Sequence, residues 1–257
     1  VYPNSNLRTT ISNLSTNFYI ESGDTEKAIE ALDKSKANTD DADVKENNTI
    51  KIIGLKLEKK DYKDMEKYLG EISDPEERAY YSAQYYAQKK DPKLVKEYET
   101  LLKSEKYKAY ASKALGDYYF DKKDLAKSKK YYGTHVSVNK NPDEYVLYRL
   151  GQANEKENNL KMALADYKLV YEKKGKLAED AMLRAAEIYD RQENNVEAEK
   201  LFTKLYATKG NKDLKAYSIE KLIYYKLLNE KTKEAKKYYD ELKKLDAKRA
   251  EKFKAYF

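Results

Sequence analysis

The sequence predicts an all-α protein, a right-handed α-α superhelix (solenoid) of about seven helical hairpins. Three observations predict it. The 257 residues are rich in Lys, Glu, Ala and Leu, which favour helix, and hold only 8 Gly and 4 Pro, too few breakers for the many turns of an all-β chain. Apolar and aromatic side chains recur at spacings of three and four, so each short segment carries one inward-facing stripe. Over the middle of the chain the same anchors return every 35 residues.

The hairpins follow in order. The first, 6–36, carries Leu14-Ser15, Phe18, Ala28 and Leu32; the second, 43–72, carries Ile53-Gly54, Met65 and Leu69. The third, 75–104, pairs Ala83-Gln84 with Val95, and Asp74-Pro75 before it reads as an N-cap with Pro at the first helical position. From there the pattern is regular. Hairpin 107–138 has Leu115-Gly116, Tyr119, Ser128 and Tyr132; 142–173 has Leu150-Gly151, Asn154, Ala163 and Tyr167, with Asn141-Pro142 read as its cap; 177–208 has Ala185-Ala186, Tyr189, Ala198 and Phe202. Hairpin 212–245 follows at a step of 37 with Leu222-Ile223, Ala235 and Tyr239, and a charged helix over 247–257 closes the chain. The small residue of each first helix lets the second helix approach, and the ring one turn after the small residue of the second helix fills the space toward the next hairpin. Polar turns such as Asp121-Lys122-Lys123-Asp124, Glu157-Asn158-Asn159 and Glu193-Asn194-Asn195 separate the helices. The expected division is a divergent N-terminal part, 1–105, and a regular part, 106–257.

Composition excludes several chemistries. Without Cys there are no disulfides, thiolate nucleophiles or Cys-based zinc sites. The single histidine, His135, falls where the sister hairpins place Val170, Leu205 and Leu242, so it reads as a packing residue. No Gly-rich phosphate loop and no dinucleotide fingerprint occurs. The acidic run Asp40-Asp41-Ala42-Asp43 reads as a solvated loop that caps the next helix; calcium is the alternative, but an EF-hand spacing and its Gly are missing. With 45 acidic residues chance carboxylate pairs are inevitable, and none stands out for acid–base work. No catalytic residue, metal ligand or cofactor site is therefore assigned. No stretch reaches the ~18–20 apolar residues of a membrane span.

Charge is unevenly spread: residues 1–74 sum to −4 and the remainder to +11, within a total of +7. The positive charge is nearly all Lys interleaved with Glu and Asp, which reads as a solvated helix surface; a nucleic-acid binder shows a denser stripe of one sign.

The Leu-Gly, aromatic, small-residue and ring spacing resembles the tetratricopeptide repeat, whose consensus runs W-x2-L-G-x2-Y, A-x3-F and P. The likeness spans essentially the whole chain and is strongest over 107–208. The Trp position is unfilled, the closing Pro is absent, and Ser128 stands where the consensus has Ala. The 35–37 periods and Tyr-rich helices resemble the divergent bacterial envelope branch, the BamD-like and Tol-associated periplasmic repeat proteins. That resemblance implies a non-catalytic scaffold or adaptor of cell-envelope assembly, in the periplasm or envelope of a bacterium and otherwise in the cytoplasm. Val1-Tyr2-Pro3-Asn4, which has no Met and no apolar leader, reads as a processed or internal start.

The resemblance also implies where a protein or peptide partner binds: a concave groove lined by the first-helix face opposite the Leu-Gly face. Carried onto this sequence, that phase selects Arg78, Tyr81, Tyr85, Tyr110, Lys113, Asp117, Phe120, Tyr145, Tyr148, Gln152, Glu155, Leu183, Glu187, Tyr217, Glu220 and Tyr224. Tyrosine suits an interface because it joins a large apolar face to a hydrogen-bonding tip at low rotamer entropy. With 27 Tyr in the chain, the competing reading is that these rings fill the core. Two other functions stay open: a helical module of an envelope-biogenesis enzyme or carbohydrate-processing complex, and a basic nucleic-acid or peripheral membrane-surface binder.

Overall fold

A computed structural model describes residues 6–208 and 211–257, with side chains from Leu14 onward. Among the described residues it holds fifteen α-helices and no strand. Seven hairpins account for fourteen of them: α1 (Asn6–Glu21) with α2 (Thr25–Ala37), α3 (Ala42–Lys59) with α4 (Met65–Gly70), α5 (Pro75–Gln88) with α6 (Leu94–Leu101), α7 (Lys108–Asp121) with α8 (Leu125–Val138), α9 (Glu144–Lys156) with α10 (Leu160–Glu172), α11 (Ala178–Arg191) with α12 (Asn195–Tyr206), and α13 (Lys212–Leu228) with α14 (Thr232–Leu245). The short α15 (Ala247–Ala250) follows, and Glu251–Tyr256 tightens into a 3-10 turn where the sequence suggested a continuous helix. Its last N–H, on Phe257, bonds to the carbonyl of Lys254 three residues back, the form helix ends often take.

Contacts group the chain into two compact units, one up to Leu115 and one from Gly116. The core of the first gathers Leu32, Ile52, Ile53, Met65, Leu69 and Ile72. Two of its second helices are short, six residues in α4 and eight in α6. In the second unit each second helix packs on the first helix of the next hairpin, as α10 does on α11 and α12 on α13. Leu147, Ala163, Tyr167, Ala185, Ala198, Phe202 and Leu222 form one continuous buried cluster there.

Both small-residue roles are visible in atoms. A Cβ on Gly116 would overlap the ring of Tyr132, and one on Gly151 would lie 2.8 Å from Cε1 of Tyr167. The glycines let the ring from the second helix of the same hairpin close against the first helix. Ser128, the departure from Ala, keeps the same close approach and adds a bond: its buried Oγ donates to the carbonyl of Gly116 at 2.9 Å.

The turns inside the hairpins share one geometry. Lys60, Lys90, Lys123, Asn158, Glu193 and Glu230 adopt left-handed backbone, as does Gly23 in the first hairpin. The next N–H then reaches five residues back: Asp124 to Tyr119 at 2.9 Å, Asn159 to Asn154 at 2.8 Å, Asn194 to Tyr189 at 2.9 Å and Lys231 to Lys226 at 2.8 Å. This is the Schellman closure of a helix C-terminus, usually built on Gly. Asp124 and Asn194 then cap the second helix by accepting from the N–H of Lys127 and Glu197.

Two capping expectations separate here. Asp74 caps α5, accepting from Glu76 and Glu77 with Pro75 in the first turn, as read. Asn141-Pro142 does not cap α9; Asp143 does, its carboxylate accepting from the N–H of Tyr145 at 2.9 Å, so the helix starts two residues later. Asp41 of the acidic run caps α3 through the N–H groups of Asp43 and Val44. His135 is buried on α8.

Candidate partner-binding face

The first unit brings Arg78, Tyr81, Tyr85, Tyr110 and Lys113 onto α5 and α7. Arg78 clasps the loop before its own helix, donating from Nε to the carbonyl of Ile72 at 2.9 Å. Tyr81 is half-buried, edge-on to Tyr80. Tyr85 is only 4% exposed and belongs to the core, packed on Tyr62 and Tyr86, which corrects its placement on a surface groove. Its position on α5 has the same phase as Tyr81, but α3 and the loop before α4 close over that end of the helix. Tyr110 stays 38% exposed, its ring leaning on Tyr80 and Tyr98. Lys113 is half-buried.

In the second unit the first helices are tied together by a ladder of bridges. Asp117 accepts from the hydroxyls of Tyr132 at 2.5 Å and Tyr145 at 3.1 Å. Arg149 of α9 reaches Asp121 of α7 at 3.0 Å. Its guanidinium carbon stands 3.6 Å from the ring centroid of Phe120, which is buried beneath it and so lies outside the surface. Glu155 of α9 accepts from the Tyr167 hydroxyl at 2.8 Å and from Arg191 of α11 at 2.7 Å. Asp190 of α11 accepts from Lys221 of α13 at 2.5 Å and from the Tyr225 hydroxyl. Glu220 of α13 pairs with Arg249 at 3.1 Å and Lys252 at 2.7 Å. Asp121, Glu155, Asp190 and Glu220 thus each hold a cation from further along the chain, and Asp117, Glu155 and Asp190 each hold a buried tyrosine's hydroxyl. Burial, followed by the acceptor carboxylate, pushes the phenols of Tyr132, Tyr167 and Tyr225 far up, so they stay protonated donors.

The remaining selected residues lie over this ladder. Tyr145 is 36% exposed and Tyr224 is 49% exposed. Burial and the Asp117 charge push the Tyr145 phenol up to about 12. Tyr148 and Tyr217 are half-buried, their rings leaning on Tyr167 and Phe202. Gln152 is half-buried, Leu183 packs partly on the core, and Glu187 lies 3.7 Å from Arg184. The surface is therefore a set of rings and paired charges. Tyr132, Tyr167 and Tyr225 serve the core, and Tyr145 and Tyr224 present their rings to solvent.

Of the bridging residues, Asp117, Glu155 and Glu220 belong to the face selected from the sequence, whereas Asp121, Asp190 and the cations do not, although the repeat carries part of their signal. The bridging cations Arg149 and Lys221 stand directly before the anchors Leu150 and Leu222, two repeat steps apart, whereas Arg191 bridges from the end of its helix.

No family model matches the chain, and no curated protein sequence is similar to it. Among solved structures, the chain is similar to the C-terminal part of a TPR repeat-containing protein from Cytophaga hutchinsonii, at 20% identity and a TM-score of 0.69, over 91% of this chain and 96% of that one. It is also similar to pilF of Pseudomonas aeruginosa, at 16% identity and a TM-score of 0.50, over 83% of this chain and 98% of that one. At these identities the likeness shows the fold, and the fold of this chain is that of a tetratricopeptide-repeat protein, an all-α stack of helical hairpins.

Proposed function

We propose that this chain is a non-catalytic scaffold or adaptor that binds an extended or helical peptide segment of a protein partner on its Tyr-rich first-helix faces. One observation carries the reading. Tyr145 and Tyr224 present large rings to solvent over a face whose charges are already paired helix to helix. Such a face is preorganised: the ladder holds the first helices in register before any partner arrives, so little ordering remains for binding to drive. Exposed aromatic anchors on a rigid support are the usual source of hot-spot energy. The non-catalytic reading rests on residue types: without Cys and with one buried His, the chain lacks the nucleophiles and bases most enzymes use. The proposed setting is bacterial cell-envelope assembly, on the Tyr-rich resemblance set out above; fractionation of the native organism tests it.

The binding test uses partners co-purified with the tagged full chain from that organism. Tyr145→Ala and Tyr224→Ala remove exposed rings and should leave the fold intact by circular dichroism. Each hot-spot ring is worth ~1–2 kcal/mol, so the double variant should weaken capture by more than about tenfold. Undiminished capture would sink the proposal.

A further inference from the structure

A different side of α11 carries a second surface. At 100° per residue, Met182, Ala185 and Tyr189 fall within one arc of this helix, centred about 130° away from the arc of Leu183, Glu187 and Asp190. There two adjoining grooves of ≈360 and ≈570 Å³ run between α10 and the α11–α12 hairpin, sharing Lys168, Tyr171 and Tyr189. Their floor is apolar and aromatic: Leu164, Tyr171, Met182, Tyr189 and Leu201. Their rim carries five lysines, Lys161, Lys168, Lys174, Lys200 and Lys204, against two carboxylates, Glu172 and Glu197. Those carboxylates meet lysines only along their own helices, Lys168 at 3.8 Å and Lys200 at 3.4 Å, in exposed pairs that neutralise little.

Hairpin packing does not require these lysines. Lys161 and Lys168 stand at the repeat positions of Ala126 and Gly133 in α8 and of Val196 and Thr203 in α12. Gathering five like charges around one groove costs stability through mutual repulsion, and an oppositely charged ligand relieves it. The floor differs from a nucleic-acid platform, because three of its five members are aliphatic and base stacking needs rings. A rim of point charges over an aliphatic and phenolic floor instead complements carboxylates alternating with apolar side chains.

We infer that this groove docks an acidic segment of a protein partner, its carboxylates on the rim lysines and an apolar side chain on the Leu164–Tyr171–Met182 floor. This surface lies apart from the first-helix face and goes beyond the function proposed above.

The test measures fluorescence anisotropy of the full chain with a short labelled peptide of alternating Glu and Leu. The substitutions Lys161→Gln, Lys168→Gln and Lys204→Gln, made together, should weaken binding by about tenfold, each exposed contact contributing roughly twofold. The same change at Lys140, Lys176 and Lys233, exposed lysines outside the groove, should change it less than about twofold by the same measure. A Glu-Ser peptide, with the charge but no apolar side chain, should bind more weakly than Glu-Leu. Tyr145→Ala with Tyr224→Ala should leave binding unchanged. Equal loss in both lysine triples would show diffuse charge attraction and overturn the inference. So would loss only in the tyrosine variant, which would place the peptide on the first-helix face. Oligothymidine or phosphatidylserine vesicles binding more tightly than the peptide, with the same groove dependence, would also overturn it and assign the groove to phosphates.

Discussion

Asp166 of α10 is buried, and Asn154 of α9 donates to its carboxylate at 2.7 Å. Burial pushes this carboxyl from 3.8 up to about 6, with the Asn154 bond offsetting part of the rise. In the folded protein Asp166 therefore holds its proton to higher pH than in the unfolded chain. Between about pH 4 and pH 6 the folded state binds more protons, so its contribution to stability is fully present at low pH and is lost as pH rises through that window. Two pKa units at ~1.4 kcal/mol each make the loss ~3 kcal/mol. Asp166→Asn removes the charge, keeps the shape, and leaves an amide oxygen to accept from Asn154. The variant should match the parent near pH 4 and exceed it by ~2–3 kcal/mol at pH 7.5. Urea unfolding followed by far-UV circular dichroism at both pH values reads the difference, and taking variant minus parent cancels the other carboxylates that titrate in the same range. A stability difference that did not change with pH would refute the reasoning. The sister hairpins point the same way: at the positions of Asn154 and Asp166 they place Tyr119 stacked on Tyr131, and Tyr189 with Leu201.

Four further substitutions probe the scaffold. Gly151→Ala puts a Cβ 2.8 Å from the Tyr167 ring and should cost ~1–3 kcal/mol in urea unfolding. Gly133→Ala, with nothing within 4 Å of its added Cβ, should instead be neutral or stabilising by up to ~1 kcal/mol. Glu193→Gly releases a non-glycine residue from left-handed backbone at φ 58° and should raise the melting temperature, a net gain of ~0.5–1 kcal/mol once the added freedom of the unfolded chain is counted. Asp190→Ala strips both the Tyr225 hydroxyl and Lys221 of their acceptor and should cost ~2–3 kcal/mol, with hydrogen-exchange protection falling first in α13.

The repeat made the hairpins legible because packing positions recur. Leu115, Gly116, Ser128 and Tyr132 in one hairpin, and Leu150, Gly151, Ala163 and Tyr167 in the next, meet the same neighbours, so the spacing encodes the contact. The cap of α9 was less legible, because Asn141 and Asp143 are both good N-caps and only backbone geometry chooses between them. Tyrosine was the hardest residue to read. Tyr85 and Tyr81 share a helix face, yet one lies inside the core and the other is half-buried at its edge, because burial depends on which neighbouring element crosses that face. Tyr132 and Tyr145 bond the same carboxylate of Asp117 from a buried and an exposed side. A phenol satisfies both settings, so residue type cannot separate filler from interface. The lysine groove was equally invisible, since its lysines come from α10, the loop after it and α12, and in sequence each is one of many lysines.

The electrostatics of the two faces of the second unit differ in a way that salt can read. On the first-helix face Asp121, Glu155, Asp190 and Glu220 are each neutralised by a cation from the following element. A partner docking there meets rings and satisfied pairs, so its affinity should change little as salt rises. The groove along α10 keeps an excess of lysine that only a bound acid can neutralise, so affinity there should fall as the Debye length shrinks from ~10 Å at 0.1 M toward ~3 Å at 1 M. A partner that engaged both faces would lose its groove contacts first. Its affinity would drop with added salt and then level off at the value set by the first-helix face. In that case the lysine triple should abolish the salt-sensitive part alone, and Tyr145→Ala with Tyr224→Ala should lower the plateau alone. A plateau that moved with the lysines would mean that the two surfaces act as one.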